Sequence, residues 1–125
     1  MWLMTNFGFF SIVKKESEDY LTVRARAMQD LLNLRERYLP AMGAIEVSDY
    51  TDYRYRVRVP REAFAEALKD ISLDIDYPNF KNSVARKQGK ARARGYEDVW
   101  RRLYDLQRGG DGECASGNDH AGIEL

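Results

Sequence analysis

The sequence predicts an α+β domain: an antiparallel sheet with helices on one face, ferredoxin-like or related, closed by a long C-terminal helix. Three observations lead there. Residues 21–26 and 53–59 alternate apolar and polar side chains, the period of a half-buried strand. Residues 27–39 and 61–73 instead repeat apolar side chains every three or four positions, the period of an amphipathic helix. Beyond residue 80, Phe80, Val84, Ala91, Gly95, Val99, Leu103 and Leu106 fall on one side of a helix once Gln88 is admitted as a polar interruption. Helices laid over one side of an antiparallel sheet make the α+β class.

Taken in order, residues 1–5 and 9–15 read as strands broken by Asn6-Phe7-Gly8, a turn or bulge. Phe9, Phe10, Ile12 and Val13 are apolar on both faces, which places the second strand inside the sheet. Lys14 to Asp19 form a polar turn before the strand at 21–26. In the helix at 27–39, Met28, Leu31, Leu32 and Arg35 make one stripe with Leu34 and Tyr38 beside it, and Pro40 stops it. Residues 45–47 are a short strand, and in 53–59 Tyr53, Tyr55, Val57 and Val59 alternate with Arg54, Arg56 and Arg58. Pro60 opens the next helix, whose buried side is Phe64, Leu68 and Ile71. Residues 71–77 satisfy both periods, and Pro78 ends either element; helix is favoured as far as about Leu73, because no turn signal separates Ala67 from Ile71.

A chain of 125 residues, 44% hydrophobic and 32% charged, suits one soluble domain. No apolar run reaches the roughly 20 residues of a membrane span. The apolar opening lacks a basic flank and a cleavage site, so it reads as core strand and not as a signal peptide. The single cysteine, Cys114, excludes an intramolecular disulfide framework and points to a reducing cytoplasm. Zero net charge conceals an asymmetry. All 20 basic residues lie at or before Arg108 with 16 acidic ones, while residues 109–125 hold four acidic groups, five glycines and no Lys or Arg. The expectation is one domain over 1–108 and a disordered acidic tail over 109–125.

Four stretches, MWLMTNFGFFSIVKK, LTVRARA, LRERYLP and DIDYPNFKN, together resemble a family of small uncharacterised bacterial proteins. The resemblance covers roughly residues 1–106. It implies a compact bacterial domain and carries over no activity, cofactor or catalytic residue.

Two basic constellations are the candidate sites. If the strands at 21–26 and 53–59 share a sheet, Arg24, Arg26, Arg54, Arg56 and Arg58 project from the face away from the helices. Guanidinium forks suit phosphate, and an open basic sheet suits single-stranded nucleic acid. Such sites add stacking aromatics, whereas the alternation sends Tyr53 and Tyr55 to the opposite face. The plainer alternative is a solvated face whose arginines pair with nearby carboxylates. The second constellation is the run Lys81, Arg86, Lys87, Lys90, Arg92 and Arg94, six cations without an acidic residue among them. Arg86, Lys90 and Arg94 share one stripe of the expected helix, and pairing with Glu62, Glu66 and Asp70 or with the tail is the alternative. Gly89 and Gly95 in that helix mark close packing or a kink.

Asp74 and Asp76, with Asn79 and Asn82, could hold a divalent cation or serve as an acid–base pair. Their spacing matches no calcium loop, and capping with turn formation explains the same residues. The lone His120 and Cys114 fall in the expected tail, away from any catalytic partner in the body. No phosphate-cradling loop or dinucleotide fingerprint is present, and no cofactor or metal is expected. The sequence thus favours a non-enzymatic module that binds nucleic acid, an acidic protein or another polyanion. The alternative is a protein-interaction or scaffold protein, a homodimer through the long helix or a sheet edge. The acidic tail is also a candidate to fold back on the basic surface and compete with a polyanion.

Overall fold

The computed structural model describes residues 1–113, with side chains as far as 108. Its first elements form a hairpin in which β1 (Trp2–Thr5) and β2 (Gly8–Val13) run antiparallel, Thr5 opposite Gly8 and Trp2 opposite Ser11. Thr5 holds the turn: its Oγ1 donates to the Gly8 carbonyl at 2.8 Å and accepts from the Phe7 and Gly8 amides at 3.2 and 3.0 Å. β3 (Leu21–Ala25) pairs with β2, and β5 (Tyr55–Val59) pairs with β3 on one side and with the short β4 (Glu46–Val47) on the other. The five-stranded sheet has the order β1-β2-β3-β5-β4 and is antiparallel at every pairing.

The chain is therefore α+β, as its periodicities require. β3 and β4 both run antiparallel to β5, so they are parallel to one another with β5 between them. The helix α1 (Met28–Arg37) makes that crossover. A split βαβ unit of this kind is compatible with a ferredoxin-like arrangement. The apolar second strand is interior, flanked by β1 and β3.

One sheet face carries Leu3, Phe10, Ile12, Leu21, Val23, Ala25, Val57 and Val59, which join Leu31 and Leu34 of α1 in a continuous core. Phe64 and Ala67 of α2 (Arg61–Leu73) complete it. α1 is turned a little from its expected stripe: Leu31 and Leu34 are buried, whereas Leu32 and Arg35 are half-buried. The cause is a polar anchor. Asp30 is itself buried and accepts the Phe9 amide at 2.9 Å, and Asn33 donates to the Phe7 carbonyl at 2.9 Å. Both bonds tie α1 to the hairpin turn. Gly8 permits the approach, because a Cβ there would stand 2.8 Å from both Asp30 Cβ and Phe10 Cζ. α2 extends to Leu73, and the Asp74 amide closes it on the Asp70 and Ile71 carbonyls, so residues 71–73 belong to the helix.

The chain divides into two compact units, Met1–Pro78 and Asn79–Leu125. In the second, the single helix expected beyond residue 80 is two: α3 (Phe80–Gln88) and α4 (Lys90–Glu113). Asn79 caps α3, its side chain accepting the Asn82 amide at 2.9 Å. Gly89 separates the helices at φ 96° and ψ 166°, backbone that essentially only glycine adopts. The two helices pack on one another, with Phe80 stacked on Tyr96 at 5.9 Å between centroids. Tyr96 takes the buried place that the expected seam gave to Ala91 and Gly95, both of which are exposed. The long C-terminal helix is α4. The expected tail overlaps its last turn, and residues 114–125, with Cys114 and His120, lie outside the described residues.

Candidate functional site

Cross-strand register assembles the site. With α1 and α2 on the first face, the second face carries Trp2, Met4, Phe9, Ser11, Val13, Thr22, Arg24, Arg56, Arg58 and Glu46. One row runs straight across the strands: Trp2, Ser11, Arg24, Arg56, Glu46. Arg24 and Arg56 thus face each other directly, a like-charge opposition that is unfavourable by itself.

Tyr53 organises the arginines. It lies before β5, in a bend, so strand alternation does not govern it, and it joins the arginines where alternation had sent it to the other face. The residue is only 6% exposed. The Arg24 and Arg26 guanidinium carbons lie 4.7 and 4.4 Å from its centroid, both within cation–π range. Arg56 donates to the Tyr53 carbonyl at 3.3 Å. Arg24 also donates to Ser11 Oγ at 2.6 Å, and Arg26 to the Asp52 carbonyl at 2.9 Å. Among the described residues, no carboxylate lies within ion-pair distance of Arg24, Arg26 or Arg56. Nε of Arg24 and of Arg56 is buried without a hydrogen-bond partner. Three cations are therefore gathered by an aromatic ring, a hydroxyl and two carbonyls, none of which neutralises them.

The other two arginines of the expected set behave differently. Arg58 shares the face but pairs with Glu46 at 2.7 Å and lies 5.6 Å from the Tyr20 ring. A hydrogen bond to Glu18 raises the Tyr20 hydroxyl above its ordinary pKa, partly opposed by Arg58. Arg54 is drawn to Asp49 at 3.0 Å and to the Tyr55 ring. Carboxylate pairing thus describes Arg54 and Arg58 and leaves Arg24, Arg26 and Arg56 aside.

In the second unit, Gly89 divides the basic run. Arg86 ends α3 while Lys90 and Arg94 begin α4, so the continuous stripe expected of one helix does not exist. All three are exposed, and none has an ion-pair partner among the described residues. Lys81 reaches Glu97 at 3.9 Å and lies 4.9 Å from the Trp100 ring, and Arg92 lies against Tyr96. Asp74 accepts the Tyr38 hydroxyl at 2.7 Å, and Asn79 caps α3. No group of three or more His, Cys, Asp or Glu positioned for a metal occurs among the described residues. A separate cleft of about 350 Å³ between β2 and α2 is lined by Ile12, Leu21, Phe64 and Leu68, with Lys14 and Arg61 as its charged groups.

Sequence reasoning missed the aromatic part of the arginine face. Trp2 and Phe9 stand on it, edge to face at 5.5 Å between centroids. A signal existed: a two-residue turn at Asn6-Phe7 fixes Thr5 opposite Gly8, and from there Trp2 opposite Ser11. Compared with known proteins, the chain matches no family model, no curated protein and no solved structure.

Proposed function

We propose that this protein is a non-enzymatic binding module that takes a polyanion, nucleic acid foremost, on the arginine face of its sheet. The observation that carries this reading is the cluster of Arg24, Arg26 and Arg56 around Tyr53 without a carboxylate partner. Fixed guanidinium forks bind phosphate oxygens with little further ordering. A bound phosphate would also relieve the Arg24–Arg56 opposition. Arg58 and Arg54 flank the cluster behind exposed ion pairs that a phosphate can displace at small cost. Arg86, Lys90 and Arg94 are a secondary basic surface on the other unit.

The test is fluorescence anisotropy of labelled RNA and DNA strands and of duplex DNA at two salt concentrations. Three phosphate contacts give a slope of about −2 in log K against log salt for single strands. Arg24→Ala with Arg56→Ala should lower affinity and flatten that slope. Binding that survives in this folded variant would move the site to Arg86, Lys90 and Arg94. Absence of binding at low salt would remove the reading.

A second reading, self-association, has one observation behind it. Trp100, Leu103 and Leu106 are exposed along one side of α4. A dimer that persists in high salt and protects Trp100 from quenching would favour it, and a monomer by sedimentation would end it.

A further inference from the structure

We infer that the polyanion is a single-stranded nucleic acid, with one base stacked on Trp2. The inference rests on the arginine-face reading and adds the class of ligand. Phosphate recognition alone does not distinguish a nucleic acid from any other phosphate chain; an exposed aromatic on the same face does. Trp2 is 56% exposed, and Phe9 braces its ring edge to face. Three other aromatics near the arginines are already engaged: Tyr53 lies under two guanidiniums, Tyr20 has Arg58 over it and Tyr55 has Arg54. Tyr50 is exposed but stands in the loop before β5, off the strand row.

The register sets the distances. Trp2 and Arg24 are two strands apart in one row, and Arg56 is one strand further. Strand spacing then places Arg24 about 10 Å and Arg56 about 14 Å from Trp2, along a line perpendicular to the strands. A short oligonucleotide laid along this row puts a base over the indole and its neighbouring phosphates over the arginines. Met4, Phe9 and Val13 share the face around the indole, and the one polar neighbour in its row, Ser11, is engaged by Arg24. This end of the row therefore carries no cation and suits a base plane and not a second phosphate. In a duplex the base faces are covered by their neighbours, and a side chain fixed on a flat sheet cannot reach them. Unpaired bases present those faces openly. The ligand is therefore single-stranded, and stacking makes it tolerant of sequence.

The experiment compares three labelled or competing ligands on the full chain: a single-stranded oligonucleotide, its duplex, and inorganic polyphosphate of similar charge. Trp2→Ala should weaken the single strand about 10-fold or more while leaving polyphosphate affinity unchanged. Trp2→Phe should recover most of the loss. Arg24→Ala should weaken both ligands. In a Trp100→Phe background Trp2 is the only tryptophan. Its emission should quench with the single strand and not with polyphosphate, a readout that does not depend on Trp2→Ala folding. Equal losses for both ligands, or no quenching by a bound single strand, would overturn the base-stacking inference and leave polyanion binding standing. Failure of the wild-type chain to bind either ligand would remove both.

Discussion

Arg24 and Arg56 stand opposite one another on adjacent antiparallel strands, each with its Nε buried and unpartnered. Folding holds two like charges together here without a carboxylate to offset them. Arg24→Glu turns the opposition into a cross-strand ion pair of about 0.5 kcal/mol and gives up the bond to Ser11, of about 1 kcal/mol. Stability should stay within about 1 kcal/mol of wild type by urea titration, while oligonucleotide affinity falls to the limit of detection. A large loss of stability would mean that Arg24 is a structural residue and not a binding one.

Gly8 tests how tightly α1 is fixed to the hairpin. An added Cβ meets the Asp30 Cβ and the Phe10 ring, neither of which can swing away from a buried position. Gly8→Ala should cost about 1–3 kcal/mol by overpacking and lower the unfolding midpoint accordingly. An unchanged midpoint would show that α1 shifts without cost.

Gly89 and Gly95 should respond in opposite directions. Gly89 holds the break between α3 and α4 at positive φ, so Gly89→Ala strains the turn by about 1–3 kcal/mol. Gly95 lies within α4 with nothing near its missing Cβ, and Gly95→Ala should stabilise by about 0.5–1 kcal/mol. Thermal unfolding followed by circular dichroism separates the two; stabilisation by Gly89→Ala would indicate that one continuous helix is accessible.

Tyr38 sets a pH window. Burial, and then its hydrogen bond to Asp74, push its hydroxyl from 10.0 to about 12. The neutral phenol is the form favoured by folding. Its contribution is therefore full below pH 10.0 and is lost as pH rises towards about 12, where the folded form also ionises. Tyr38→Phe should be less stable at neutral pH and show a shallower loss of stability across that window. Parallel curves for the two proteins would show that Tyr38 makes no such contribution.

Much of the fold was legible because burial imposes simple periods. Leu21, Val23, Val57 and Val59 alternate because one sheet face meets a core. Phe64, Leu68 and Ile71 repeat at helical spacing because one side of α2 meets the same core. The helical end of α2 at Leu73 followed from the absence of a turn signal, and Pro40 and Pro60 bounded their helices. Arg24, Arg56 and Arg58 were placed together by the same parity.

Tertiary structure decided what periodicity does not encode. Tyr53 left its strand pattern because the chain bends before β5 and because two guanidiniums cover its ring. Trp2 met the arginine row only through the registers of three strand pairings, two of them set by connections longer than a tight turn. Gly89 read as close packing or a kink within one helix, and a full break resulted instead, because α3 and α4 pack Phe80 and Tyr96 against each other, which one straight helix cannot do. The sequence by itself determined which residues are apolar, which are charged and how often each recurs. Only the folded chain decided which charges lack a counter-charge and which aromatic ring remains exposed beside them, since both depend on contacts between segments far apart in sequence.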